Sequence, residues 1–121
     1  MEQIIGIAAF SVLGAILRFG LDQWLVRFTQ LQGLSTLAVN ILGSFAAGII
    51  IGLVTKQVLT GSWPTILLVG FCGSFTTFSA YSIQSLKLME QGQLSWAMSF
   101  ILVNPVLSLL AAYLGMIAIK S

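Results

Sequence analysis

LSTLAVNILGSFAAGIIIGLV, residues 34–54, contains no charged side chain. A helix rises about 1.5 Å per residue and a bilayer core is about 30 Å thick, so a stretch of this length and character reads as a membrane-spanning helix. Its borders are polar, with Gln30 and Gln32 before it and Lys56 and Gln57 after it. Outward from this stretch, three more spans follow the same pattern: about Gln3 to Val26, Trp63 to Leu86 and Leu94 to Ile119. The first lacks a basic leader and is too long for a signal peptide. Trp24, Trp63 and Trp96 fall near span ends, where indole rings favour the membrane interface. The expected fold is therefore an all-α integral membrane protein: one four-helix domain over residues 1–121, with both termini on the same side.

Composition agrees. Of 121 residues, 58% are hydrophobic, five are Lys or Arg and three are Asp or Glu, whereas soluble domains carry roughly 25% charge. The lipid bilayer is thus the first partner implied. With no His, a single Cys and three carboxylates, the chain cannot build a His-ligated metal site, a Ser-His-Asp triad or a thiol–imidazole pair, and an enzyme is not expected. Cys72 has no partner for an intrachain disulfide and sits among apolar residues as a small hydrophobe does. No basic cluster points to nucleic acid.

Lys and Arg in the connections orient membrane proteins, and here they balance. Lys56 and Lys120 lie on the side of the termini, Arg27 and Lys87 on the other. Leaving aside Arg18 within the first span, such balance allows either insertion in both orientations, which permits an antiparallel dimer of two identical chains, or a single orientation set by a small bias such as Arg18. Four helices are too few to surround a wide aqueous path, so transport calls for an oligomer. Ser44, Gly48 and Gly52 repeat every four residues, the small-residue spacing that lets helices approach closely, so this stripe reads as a helix-packing face, within the chain or between copies. Asn40 lies one turn earlier on it.

Polar groups at membrane depth are costly and mark candidate functional residues. Asn40 brings two donors and one acceptor, for interhelical hydrogen bonding or for a ligand. Arg18 and Asp22 have the i, i+4 spacing of an ion pair; alternatively Arg18 gives a vestibule positive potential that attracts anions. The third span contains GFCGSFTTFSAYS, residues 70–82. That density of Gly, Ser and Thr weakens a helix, leaving either a kink or an unwound turn whose freed carbonyls, over Gly73 to Thr77, offer a small cation site. In the fourth span, Asn104, Pro105 and Ser108 make either a polar track or a proline-kinked packing helix.

A proton-coupled exporter needs a protonatable group within the membrane. Glu2 and Glu90 lie at span ends, and Asp22 has Arg18 as its neighbour. The small four-helix multidrug transporters rely on a glutamate in the first span, where this chain has Gly14 and Ala15. What remains is a set of donors without acids: Asn amides, Ser and Thr hydroxyls, Arg18, and the rings of Phe75, Phe78 and Tyr81, whose edges are positive. This set suits a narrow anion pathway in which several donors replace the ion's water.

Residues 70–82 closely resemble the signature of the Fluc (CrcB) family of small dual-topology fluoride channels, roughly Gly-Phe-x-Gly-Gly-x-Thr-Thr-Phe-Ser-Thr-Phe-Ser. Further matches are Gly14 to Arg18, Thr36 to Asn40 and Met89 to Gly92. The resemblance implies an antiparallel dimer with a third helix broken near its middle, passing fluoride passively out of the bacterial cytoplasm through two pores in the inner membrane. It implies backbone carbonyls of Gly73 and Thr76 from both chains around a structural Na⁺. It further implies Asn40 as a fluoride donor and Phe78 as the first of two pore phenylalanines. Asn104 and Ser108 would line the path, with Thr77 and Ser79 among the pore residues and Arg18 at the vestibule. Three positions depart from the pattern: Tyr81 for the second phenylalanine, adding a hydroxyl that would donate to the ion or narrow the path; Ala80 for Thr; and Ser74 for Gly. These departures leave open a subunit of a heterodimeric fluoride channel, with a homologous chain as partner; a small drug or cation transporter is the remoter alternative.

Overall fold

The computed structural model describes residues 1–121, which fold entirely into helices and short turns. Helix α1 is Glu2–Leu25 and α2 is Leu34–Thr55. The third hydrophobic stretch is two helices, α3 over 63–75 and α4 over Phe78–Glu90, and α5 is Leu94–Lys120. Four helical stretches are long and apolar enough to cross a membrane, and the third of them bends by 21° near its middle. It runs on to Glu90 rather than stopping at Leu86, since Lys87 and Glu90 can reach past the apolar boundary by their long stems. α5 continues without a stop through Pro105 to Lys120.

Two pairs of helices organise the chain: α2 lies along α5, and α1 lies against α3. The first pair explains the small-residue stripe. A side chain on Gly48 would run into the Ala112 carbonyl, and a Cβ on Gly52 would stand 2.8 Å from Ile119 Cβ and 3.0 Å from Met116 O. Of the packings the stripe allows, the structure shows the one within the chain: Gly48 and Gly52 join α2 to α5. In the second pair, a Cβ on Gly14 would lie 2.5 Å from the Phe71 carbonyl, so glycine lets the α1 backbone press directly on α3.

That pressure coincides with an irregularity the sequence does not announce. Ile66–Cys72 is wound as a π-helix, a form that in most proteins is a short, locally costly bulge at functional places. After three more helical residues, Gly73–Phe75, the helix ends. Thr76 has φ −81° and ψ 159°, and Thr77 has φ −147° and ψ 114°, both extended. Helix α4 then restarts with Thr77 as its cap, the Thr77 hydroxyl accepting from the Ala80 amide at 3.1 Å. The third span is thus truly interrupted and not merely kinked.

Only 19 of the 121 residues are buried, so most of the apolar surface faces outward. In water that would be prohibitive; in lipid it is the ordinary condition of a spanning helix. The small core of Leu88, Ala97 and Phe100, with Tyr81 packed on it, fixes α4 to α5.

Candidate functional site

The break leaves the backbone N–H and C=O of Thr77 to be paired from outside the helices, and Asn40 on α2 pairs with both. The Thr77 amide donates to Asn40 Oδ1 at 2.8 Å, and Asn40 Nδ2 donates to the Thr77 carbonyl at 3.2 Å. A backbone N–H can only donate, so it fixes which end of the Asn40 amide is oxygen. The second Nδ2 proton of Asn40 goes to Asn104 Oδ1 at 3.1 Å. That bond fixes Asn104 in turn, with its Nδ2 pointing away from Asn40. Asn40 and Asn104 are both buried, the latter only 3% exposed, and Asn104 Nδ2 has no hydrogen-bonding partner. Neither does the buried hydroxyl oxygen of Ser108, one turn further along α5.

These groups surround a cavity of about 220 Å³ lined by Asn40, Ser44, Thr76, Thr77, Phe78, Tyr81, Asn104, Pro105 and Ser108. No carboxylate is among them. An unsatisfied buried donor costs about 1–3 kcal/mol, and two together beside an open cavity mark a place for an acceptor from outside the chain. Phe78 and Tyr81 stand at the same cavity with ring centroids 5.4 Å apart and planes tilted by 47°. Phe78 is 78% exposed, so one side of the cavity is unwalled.

Seven of the residues singled out from sequence meet here: Asn40, Thr76, Thr77, Phe78, Tyr81, Asn104 and Ser108. Ser79 lies outside the lining, exposed, with its hydroxyl 3.4 Å from that of Thr77. Both amide protons of Asn40 are committed to protein groups, so the free amide donor is that of Asn104. Tyr81 also spends its proton within the chain, on the Ile101 carbonyl at 2.7 Å. Pro105, named with Asn104 and Ser108 in the fourth span, and Ser44 complete the lining, and sequence reasoning does not place Ser44 there. Ser44 sits one turn from Asn40 on the same stripe, a signal that reads as packing alone.

Arg18 and Asp22 do not form the ion pair their spacing suggests. Arg18 Nε donates to the Ser74 carbonyl at 3.0 Å, and Asp22 accepts from the Ser35 hydroxyl. The half-buried guanidinium therefore braces the break from the α1 side. Two other carbonyls at the break lose their helical donors. The Thr77 amide, which would close a turn on Gly73, goes to Asn40, and the Ala80 amide, which would close one on Thr76, goes to the Thr77 hydroxyl. The oxygens of Gly73 and Thr76 are thereby released from those bonds, and uncharged carbonyl oxygens of an unwound turn suit a small hard cation.

Fold and site together define a small multi-pass membrane protein with a neutral, donor-lined cavity beside a broken helix. The chain belongs to the CrcB family: residues 5–116 match the family described as CrcB-like protein, Camphor Resistance (CrcB). Among its relatives, the protein named fluoride-specific ion channel FluC of Renibacterium salmoninarum is 38% identical over 93% of this chain and 95% of its own length. The FluC of Magnetococcus marinus is 38% identical over 95% of each chain. That of Geotalea uraniireducens is 34% identical over 100% of this chain and 99% of its own. These relatives are bacterial and are named as channels, not enzymes.

Proposed function

We propose that this chain forms a fluoride-selective channel that lets the ion run down its electrochemical gradient out of the bacterial cytoplasm, across the inner membrane. One observation carries the reading: Asn104 Nδ2 and Ser108 Oγ are buried beside the cavity without partners, and no acid accompanies them. The names of the relatives supply the identity of the anion. A small ion holds its water tightly, so a pathway must offer replacement donors at close range. Here Asn104 and Ser108 supply them, Phe78 and Tyr81 add positive ring edges, and Asn40 with Thr77 fixes the array. Arg18, held at the break, contributes a positive potential toward a vestibule that favours anions over cations.

The exposed Phe78 supports a second copy, inserted antiparallel, as the missing wall, which gives two pores per dimer. The released carbonyls of Gly73 and Thr76, contributed by both copies, would hold a structural Na⁺ at the junction. Such an ion supplies fixed positive charge and draws the two unwound turns together.

The test is efflux from liposomes followed with a fluoride electrode. Rapid fluoride loss without chloride loss is the expected result. Flux appearing only after a homologous chain is added would make the protein one subunit of a heterodimer, and proton-coupled uptake of an organic cation would overturn the channel. For orientation, a cysteine placed at Ser121 in a Cys72→Ser background should label from both faces of the membrane.

A further inference from the structure

A proline within a helix removes the amide that would bond the carbonyl four residues earlier. For Pro105 that carbonyl belongs to Ile101, and it is the group that accepts the Tyr81 hydroxyl at 2.7 Å. The side chain that departs from the family pattern in α4 thus meets the vacancy made by the proline in α5. Both residues line the cavity. The ring between them is held on two sides, by Phe78 at 5.4 Å and by Phe100 at 5.6 Å, and the hydroxyl bond anchors its far end.

We propose that Tyr81 and Pro105 are a matched pair, in which the Tyr81 hydroxyl caps the Ile101 carbonyl left open by Pro105 and so holds the Tyr81 ring in place at the cavity. Tyr81 is then a positioning residue whose hydroxyl is a strut. Its proton goes to the backbone and is withheld from the ion, so the ring acts in the pathway as a phenylalanine would. The pair also explains how α5 passes through proline without interruption: the orphaned carbonyl keeps a donor, supplied from the neighbouring helix.

The inference rests on the channel reading for its functional consequence, and the experiment separates the two. In liposomes, Tyr81→Phe in the native background should lower fluoride flux about three- to tenfold, the scale of one buried hydrogen bond left half made. In a Pro105→Ala background, where the restored backbone amide would reoccupy the Ile101 carbonyl, the same substitution should change flux by less than about twofold. Equal losses in both backgrounds would overturn the pair and assign the hydroxyl to the ion. An independent readout needs no flux. The chain has two tyrosines, so in a Tyr113→Phe background the Raman doublet of Tyr81 reports its hydroxyl alone. A donor signature unchanged by fluoride is expected, and a signature that shifts on adding fluoride refutes the strut. If the native chain passes no fluoride at all, the channel reading fails while the Raman result still decides the pair.

Discussion

Replacing Asn104 by leucine separates function from folding. In the native chain, Asn104 accepts one proton from Asn40 and leaves its own Nδ2 without a partner. Leucine removes that orphan, recovering about 1–3 kcal/mol, but strands the Asn40 proton, which costs a similar amount. Stability should therefore change by no more than about 2 kcal/mol. Asn40 remains held by its two bonds to Thr77, so its stranded proton faces the leucine and does not turn into the cavity as a substitute. Flux has no such compensation. A hydrogen bond to a charged partner contributes about 1.5–3 kcal/mol, which at 1.4 kcal/mol per decade is a loss of roughly 10- to 150-fold. Efflux by fluoride electrode, beside thermal unfolding of the same preparation in detergent, measures both quantities. Fluoride efflux near the native rate would refute the donor assignment. A fall in flux that tracks a fall in unfolding temperature would return Asn104 to a structural role.

Thr77→Ala removes the cap of α4 and should cost about 1 kcal/mol, seen as roughly fivefold faster hydrogen exchange at the Ala80 amide, while Thr77→Ser leaves that rate near native. Gly48→Leu forces a side chain against the Ala112 backbone and should abolish the monodisperse peak on size exclusion; Gly20→Leu, with nothing within 4 Å of its Cβ position, should not. Because Asp22 accepts from Ser35 and not from Arg18, Asp22→Asn should hold flux within about twofold, whereas Arg18→Ala frees the Ser74 carbonyl and should destabilise the protein by about 1–3 kcal/mol in the same melt. Equal harm from the two substitutions would reinstate the ion pair.

What the sequence reveals and conceals here follows from the range of the forces involved. The spans at residues 2–25, 34–55 and 94–120 are legible because hydrophobic length is a local property. The weak point of the third span is legible too, since Gly73 and the threonines weaken helix locally, but the residues alone leave open a kink or a break. The π-helical turn before it is not legible, because the crowding of Phe71 against Gly14 comes from residues far apart in the chain. Arg18 shows the same limit. The i, i+4 rule finds Asp22, but a carbonyl 56 residues away at the break has the better claim on the guanidinium. For Asn40, residue type and depth mark it as important, yet its bonds to Thr77 span 37 residues. Periodicity alone cannot say that its protons are already occupied. Ser44 misleads for the converse reason: its spacing with Gly48 fits packing so well that nothing in the pattern points to its place at the cavity wall.

The sequence of bonds from Thr77 to Asn40 to Asn104 has a consequence beyond holding the chain in shape. A free carboxamide is ambivalent and can turn either its oxygen or its nitrogen to a visitor. Here one peptide proton settles the choice two side chains away, and the end left without a partner is the nitrogen. In the proposed channel, the preference for an anion is therefore carried by hydrogen-bond direction as well as by the charge of Arg18. Unlike a lysine or a glutamate, such an element does not titrate across the range a bacterium meets, so discrimination built on it should hold equally in acid and in alkali.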